Sequence, residues 1–170
     1  MNKRLLIIIG VLILMFNFGG CGLKELLMNE YEKTERECKK IAEILDHKDE
    51  DALKGLLTER TLAEAADLDK GIEFMMSEYQ GTSTKIERVS YSSLSNYDKG
   101  KHSREIDTYY KIYTDKETYM IYFNYWQTNT IEPEMEGIYS MGMVPVNEED
   151  TNDSYDQKRI GIYYPEWLED

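Results

Sequence analysis

Asp107 is the residue of this chain best placed by type to do acid–base chemistry, because it shares one face of an alternating segment with Tyr109 and Tyr113. A carboxylate serves as a general base only if an apolar enclosure shifts its proton affinity, with hydrogen-bond donors alongside to handle developing charge. Metal chemistry is poorly supplied. Asp150, Asn152, Ser154 and Asp156 place oxygens at every second residue, as in the first half of a calcium loop. The sixth position, however, is Tyr155 where glycine is needed, and the twelfth is Gly161 where a bidentate glutamate is needed. Residues 147–158 are therefore read as a solvated acidic loop, with a weak extracellular calcium site as the alternative. His47 and His102 have no zinc-like spacing to other ligands. Ser140 lies between Gly137 and Gly142, which is not the spacing of a nucleophile elbow, and no glycine loop suited to phosphate occurs. No cofactor and no metal is expected, and an enzyme is the lesser expectation.

Aromatic residues offer a stronger lead. Twelve tyrosines lie from Tyr91 to Tyr164, with Trp126 among them. Tyrosine and tryptophan join an apolar body to a polar tip, which suits a ligand or partner surface; they are also good strand formers. The candidate pocket is Tyr110, Ile112, Phe123, Tyr125 and Trp126. The expected role is binding of a small ligand, a peptide or a protein partner. An accessory subunit of an envelope complex, marked by an exposed apolar patch, is a further alternative.

The amino end carries its own chemistry. After Lys3 and Arg4, an apolar run from Leu5 to Phe16 spans about 12 residues, short of the roughly 20 that cross a bilayer. It ends in Phe18-Gly19-Gly20-Cys21, which resembles the signal of bacterial lipoproteins. That resemblance implies cleavage after Gly20 and a diacylglyceryl group on Cys21. The expected organisation is a signal peptide over 1–20, a tether over 21–30 and one α+β domain over 31–170. The location follows: a cell membrane, lipid-anchored, on its extracytoplasmic face. Lys3 and Arg4 leave with the leader, so 18 of the 20 basic residues remain against 33 acidic ones and the net charge moves from −13 to −15. Such a surface excludes nucleic acid, and it cannot grip anionic lipid electrostatically. With Cys21 acylated, Cys38 is the one thiol left and no internal disulfide forms.

These residues need elements to hold them. Leu27, Tyr31, Thr34, Cys38, Ile41, Ala42 and Leu45 repeat at spacings of three and four, predicting a long amphipathic helix over 24–47 with Cys38 in its apolar stripe. Asp49 is a candidate N-cap for a short helix to Leu57, burying Leu53, Leu56 and Leu57. Thr61 and Glu64 have capping-box spacing, though Thr58 is an equal candidate to open that turn. A further helix over 68–79 turns Ile72, Met75, Met76 and Tyr79 inward and stops at Gly81. Strands follow: 84–91, imperfectly alternating; 104–114; 118–128, apolar on both faces and so central; and 135–144 after Pro133. Residues 95–102 read as a loop or hairpin tip. The closing apolar segment from Ile160 is expected to dock back on the domain.

Helices segregated before long antiparallel strands define an α+β class. The helix-rich span 31–79, the segment from Asp67-Leu68-Asp69 to Gly81, the strands around Ile106 to Tyr125, and Glu136-Gly137-Ile138-Tyr139 resemble uncharacterised lipoproteins of Gram-positive bacteria. That family is similar in fold to nuclear transport factor 2, a cone of curved sheet around helices. The resemblance implies a cavity on the concave sheet face and supplies no catalytic residues.

Overall fold

The computed structural model describes residues 29–66, 68–146 and 160–162. Cys21 with its leader, the tether up to residue 28, and the acidic segment 147–158 with its calcium-like spacing lie outside the described residues. The chain divides into two units, Met1–Arg36 and Glu37–Asp170. In the first, Asn29 opens helix α1 (Glu30–His47). Its side-chain oxygen accepts the Glu32 N–H at 2.9 Å, and the Glu32 carboxylate accepts the Asn29 N–H at 3.0 Å. This reciprocal capping box pairs donors that a helix start otherwise leaves unpaired.

In the second unit, α1 ends by burying Cys38, Ile41, Ala42 and Leu45, the later part of the stripe its sequence predicts, whereas Tyr31 of that stripe is 51 % exposed. Helix α2 (Glu50–Lys54) is capped by Asp49, whose carboxylate accepts the Ala52 N–H at 2.9 Å. Helix α3 (Glu59–Glu64) starts at Thr58 and not at Thr61: the Thr58 hydroxyl accepts the Thr61 N–H at 3.0 Å. Thr61 is fully buried and spends its own hydroxyl on the Tyr139 carbonyl, 2.7 Å away. Helix α4 (Leu68–Glu78) buries Ile72, Met75 and Met76, and Gly81 turns the chain at φ +87°, a conformation that suits glycine.

Five antiparallel strands follow in sequence order: β1 (Ser83–Asp98), β2 (Lys101–Thr114), β3 (Thr118–Asn129), β4 (Gly137–Pro145) and β5 (Ile160–Ile162). The sheet is curved and the class is α+β, as the sequence predicts. One reading is corrected. Residues 95–98 and 101–102 are not loop; β1 runs on to Asp98, β2 starts at Lys101, and the hairpin turns through Lys99 and Gly100 alone, at φ +47° and +84°. Serine and asparagine are weak strand formers, but β1 is the sheet's edge, where exposed polar side chains cost nothing and pairing with β2 decides the conformation. The irregular alternation in 84–91 is a register shift between Arg88 and Ser90.

The core lies on one sheet face. Ile112, Tyr110, Tyr119, Ile121, Phe123, Ile138, Met141 and Met143 pack there with the buried residues of α1, α2 and α4. Beyond β4, β5 pairs with Met141–Met143, and Ile138 exchanges backbone hydrogen bonds of 3.0 Å with Leu56 and Thr58. That edge is thus closed by protein backbone.

Candidate functional site

Strand alternation sorts the sequence-predicted pocket residues onto two faces. Tyr110, Ile112 and Phe123 are fully buried in the core, the Tyr110 and Phe123 rings stacked at 6.0 Å, and Tyr125 is partly buried against the same cluster. Trp126 falls one residue later on β3 and lies on the opposite face, in register with Glu105. The sheet itself separates it from the other four.

That opposite face carries a polar cluster. Asp107 faces Asn124 across the β2–β3 ladder, Glu105 faces Trp126, and Ser140 of β4 faces Asn124 from the other side. Asn124, only 5 % exposed, donates from one amide nitrogen to two carboxylates: Glu105 Oε1 at 2.7 Å and Asp107 Oδ1 at 2.9 Å. The Tyr122 hydroxyl reaches Asp107 Oδ1 at 3.4 Å. Tyr109 and Tyr122 pair across the strands with their rings tilted 42° to each other, centroids 4.9 Å apart. Asp107 thus lies on the sheet face opposite the one that packs on the described helices.

Two features of the cluster are chemically incomplete. The Asn124 carbonyl oxygen and the Trp126 indole N–H are buried and find no hydrogen-bond partner. Leaving such a group unpaired costs about 1–3 kcal/mol, and native folds seldom do so without a reason. In addition, neither Glu105 nor Asp107 forms an ion pair among the described residues. A chain of net charge −13 therefore presents, on one patch, two carboxylates, an idle acceptor, an idle donor and three aromatic rings. Acceptors outnumber donors, so the complementary chemistry is cationic and hydrogen-bonding, not anionic. No set of three potential metal ligands from histidine, cysteine, aspartate and glutamate occurs among the described residues.

The remaining candidates are structural. His47 Nδ1 lies 2.7 Å from the Glu43 carbonyl in the last turn of α1, and exposed His102 stacks on Tyr97 at 6.1 Å. Cys38 is wholly buried, as its helical spacing predicts. Sequence reasoning missed Asp46, which ties three elements together. Its carboxylate accepts from the Tyr79 hydroxyl beyond α4, and from the backbone N–H and hydroxyl of Ser83 at the start of β1. Lys48 donates to the Met76 and Tyr79 carbonyls and stands 5.2 Å over the Tyr79 ring. Burial holds the Tyr79 hydroxyl well above the usual phenol range, with Asp46 adding to the effect; burial also lowers the affinity of Lys48 for its proton. The available signal for Asp46 was weak: a polar residue following the apolar stripe of α1.

Among curated proteins none matches the chain. Residues 40–164 match a family described as Domain of unknown function (DUF5104), a span that takes in the helices α2 to α4 and all five strands. The chain belongs to that DUF5104 family.

Proposed function

We propose that the protein is a noncatalytic binding module, tethered by lipid on Cys21 to the extracytoplasmic face of a membrane, that takes an amine-bearing ligand of peptide character. The site is the sheet face turned from the helices, centred on Asn124 and Trp126. The observation that carries this reading is the buried, unpaired couple of Asn124 Oδ1 and Trp126 Nε1 beside two carboxylates that form no ion pair among the described residues. A peptide unit offers one N–H and one C=O, the complement of an idle acceptor and an idle donor. A protonated amine matches Glu105 and Asp107, and aromatic faces add cation–π attraction. The order of helices then curved sheet supports kinship with the nuclear transport factor 2-like cone. The short apolar leader ending in Gly20-Cys21 supports the lipid anchor.

The test is a fluorescence titration in a Trp167→Phe background, where Trp126 is the single remaining tryptophan. A short lysine-containing peptide is expected to shift the emission saturably. Its side-chain-acetylated counterpart is expected to bind about tenfold more weakly, the loss of one charge-assisted contact. Equal response to both peptides, or none to either, would sink the reading. Mass spectrometry of protein extracted from membranes checks the anchor: the amino-terminal fragment should begin at an acylated Cys21.

A further inference from the structure

The sheet face around Asn124 changes sign along β2. Every second residue of that strand stands on it, so Glu105, Asp107, Tyr109, Lys111 and Tyr113 follow one another in line. The neighbouring strands complete the rows. Asp107 lies between Ser92 and Asn124, Tyr109 between Ser90 and Tyr122, and Lys111 between Glu87 and Met120. Both carboxylates of the cluster therefore sit on one side of the tyrosine pair, and Lys111 sits on the other.

Lys111 is a cation without a carboxylate of its own. Its cross-strand neighbour Glu87 is already engaged, because one carboxylate oxygen takes the Lys85 ammonium at 2.7 Å and the Tyr113 hydroxyl at 3.2 Å. Lys85 and Glu87 cancel one another. Lys111 forms no ion pair among the described residues, and it is partly buried, so salt screens it less than a lysine at an exposed turn. Acids outnumber bases by 33 to 20 in this chain, which makes an unclaimed ammonium on a strand face a departure from the prevailing charge. The cluster at Asn124 calls for a cation, and the same face, four residues along β2, calls for an anion. Asp107 and Lys111 are about 13 Å apart along the strand.

We infer that, given the binding role proposed for this face, it takes short zwitterionic peptides, with the amine on Glu105 and Asp107, the intervening peptide across the Tyr109 and Tyr122 rings, and the carboxylate on Lys111. This adds a second charge, a polarity and a length to the amine already assigned. A free amino acid carries both charges on one carbon and cannot span 13 Å. A lysine stem followed by two extended residues can. The carboxylate of such a peptide is otherwise repelled by an acidic protein, and Lys111 offsets that repulsion where the carboxylate arrives. A lysine ammonium is a point charge with no fixed fork, so spacing rather than shape does the selecting.

The test compares acetyl-Lys-Gly-Gly carrying a free carboxylate with the same tripeptide as its carboxamide, both titrated by Trp126 emission in the full-length Trp167→Phe protein. The carboxylate form is expected to bind about fivefold more tightly, the upper value of a partly exposed ion pair, and the difference should shrink in high salt. Acetyl-lysine with its carboxylate directly attached is too short and should gain nothing over its amide. Lys111→Met is expected to erase the preference, and Lys111→Arg to keep it. Lys116→Met removes the same charge from the exposed turn before β3 and is expected to keep it too. Two tripeptides that bind equally well would overturn the inference and leave the amine site standing, whereas binding of neither would overturn both. A preference that survives Lys111→Met, or that is lost equally in Lys116→Met, would also overturn it.

Discussion

The Tyr79 hydroxyl donates to the Asp46 carboxylate at 2.9 Å, and that carboxylate also accepts the Ser83 N–H at 2.9 Å and the Ser83 hydroxyl at 2.6 Å. One side chain at the end of α1 therefore fixes where α4 finishes and where the sheet begins. Tyr79 in turn stacks on Tyr119 of β3 at 4.9 Å, and the Tyr119 hydroxyl takes the Gln80 N–H and gives its proton to the Glu78 carbonyl.

Removing this junction should be costly. Hydrogen bonds to a charged group contribute about 1.5–3 kcal/mol each, with neighbours non-additive. Asp46→Ala is expected to lower unfolding stability by about 2–4 kcal/mol, and Tyr79→Phe by about 1–2 kcal/mol. Urea denaturation of both variants and of the double variant checks this. Additive losses would show that the two groups do not act together.

The same junction makes stability fall in alkali. Burial first, and Asp46 second, hold the Tyr79 phenol protonated in the fold beyond its ordinary range; burial does the same to Tyr119. An unfolded tyrosine ionises near pH 10, so the stabilisation is complete below about pH 10 and is lost as pH rises above it. Lys48 acts with the opposite sign, because burial lowers its proton affinity and its contribution grows up to about pH 10.4. Lys48→Met should therefore isolate the tyrosine effect. Tyrosinate absorbance is expected to appear in two phases, with Tyr79 and Tyr119 ionising only as the protein unfolds. A single phase near the ordinary value would contradict this.

How far the sequence reaches depends on what decides each residue's place. Apolar stripes at helical spacing located Cys38, Ile41, Leu45, Ile72 and Met75 correctly, because burial of one face is a local pattern with a global outcome. Alternation put Asp107 and Tyr109 opposite Ile106 and Tyr110 for the same reason. Residues 95–98 were misread because their strand conformation comes from pairing with β2, a long-range effect that propensity does not contain. The cluster around Asn124 was illegible too. Its members come from three strands, and Trp126 was grouped with Phe123 and Tyr125 although strand parity sets it on the other face.

Close approach of backbones supplies an independent check on the packing of α4 against β5. A Cβ built on Gly71 would stand 2.6 Å from the Gly161 carbonyl oxygen and 3.2 Å from Ile162 Cγ1. The first is a backbone atom and cannot swing aside. Gly71→Ala is expected to cost about 1–3 kcal/mol despite the better helix propensity of alanine. Thermal denaturation measures it, and limited proteolysis should show cleavage near β5 appearing first. A gain in stability would mean that the strand does not dock there.

Trp126 separates binding from folding most cleanly. If its buried N–H is held unpaired for a ligand, the fold carries the cost of desolvating that group, about 1–3 kcal/mol, until a partner arrives. Trp126→Phe keeps an aromatic ring on the strand and deletes the donor. The variant is expected to unfold at an equal or higher urea concentration than the parent, while its affinity for the lysine-containing peptide falls about tenfold, the value of one hydrogen bond. Calorimetric titration and urea midpoints on the same preparations give both numbers. A destabilisation of several kcal/mol with unchanged peptide affinity would instead make Trp126 a packing residue whose N–H serves the fold, and the site would have to lie elsewhere on the sheet.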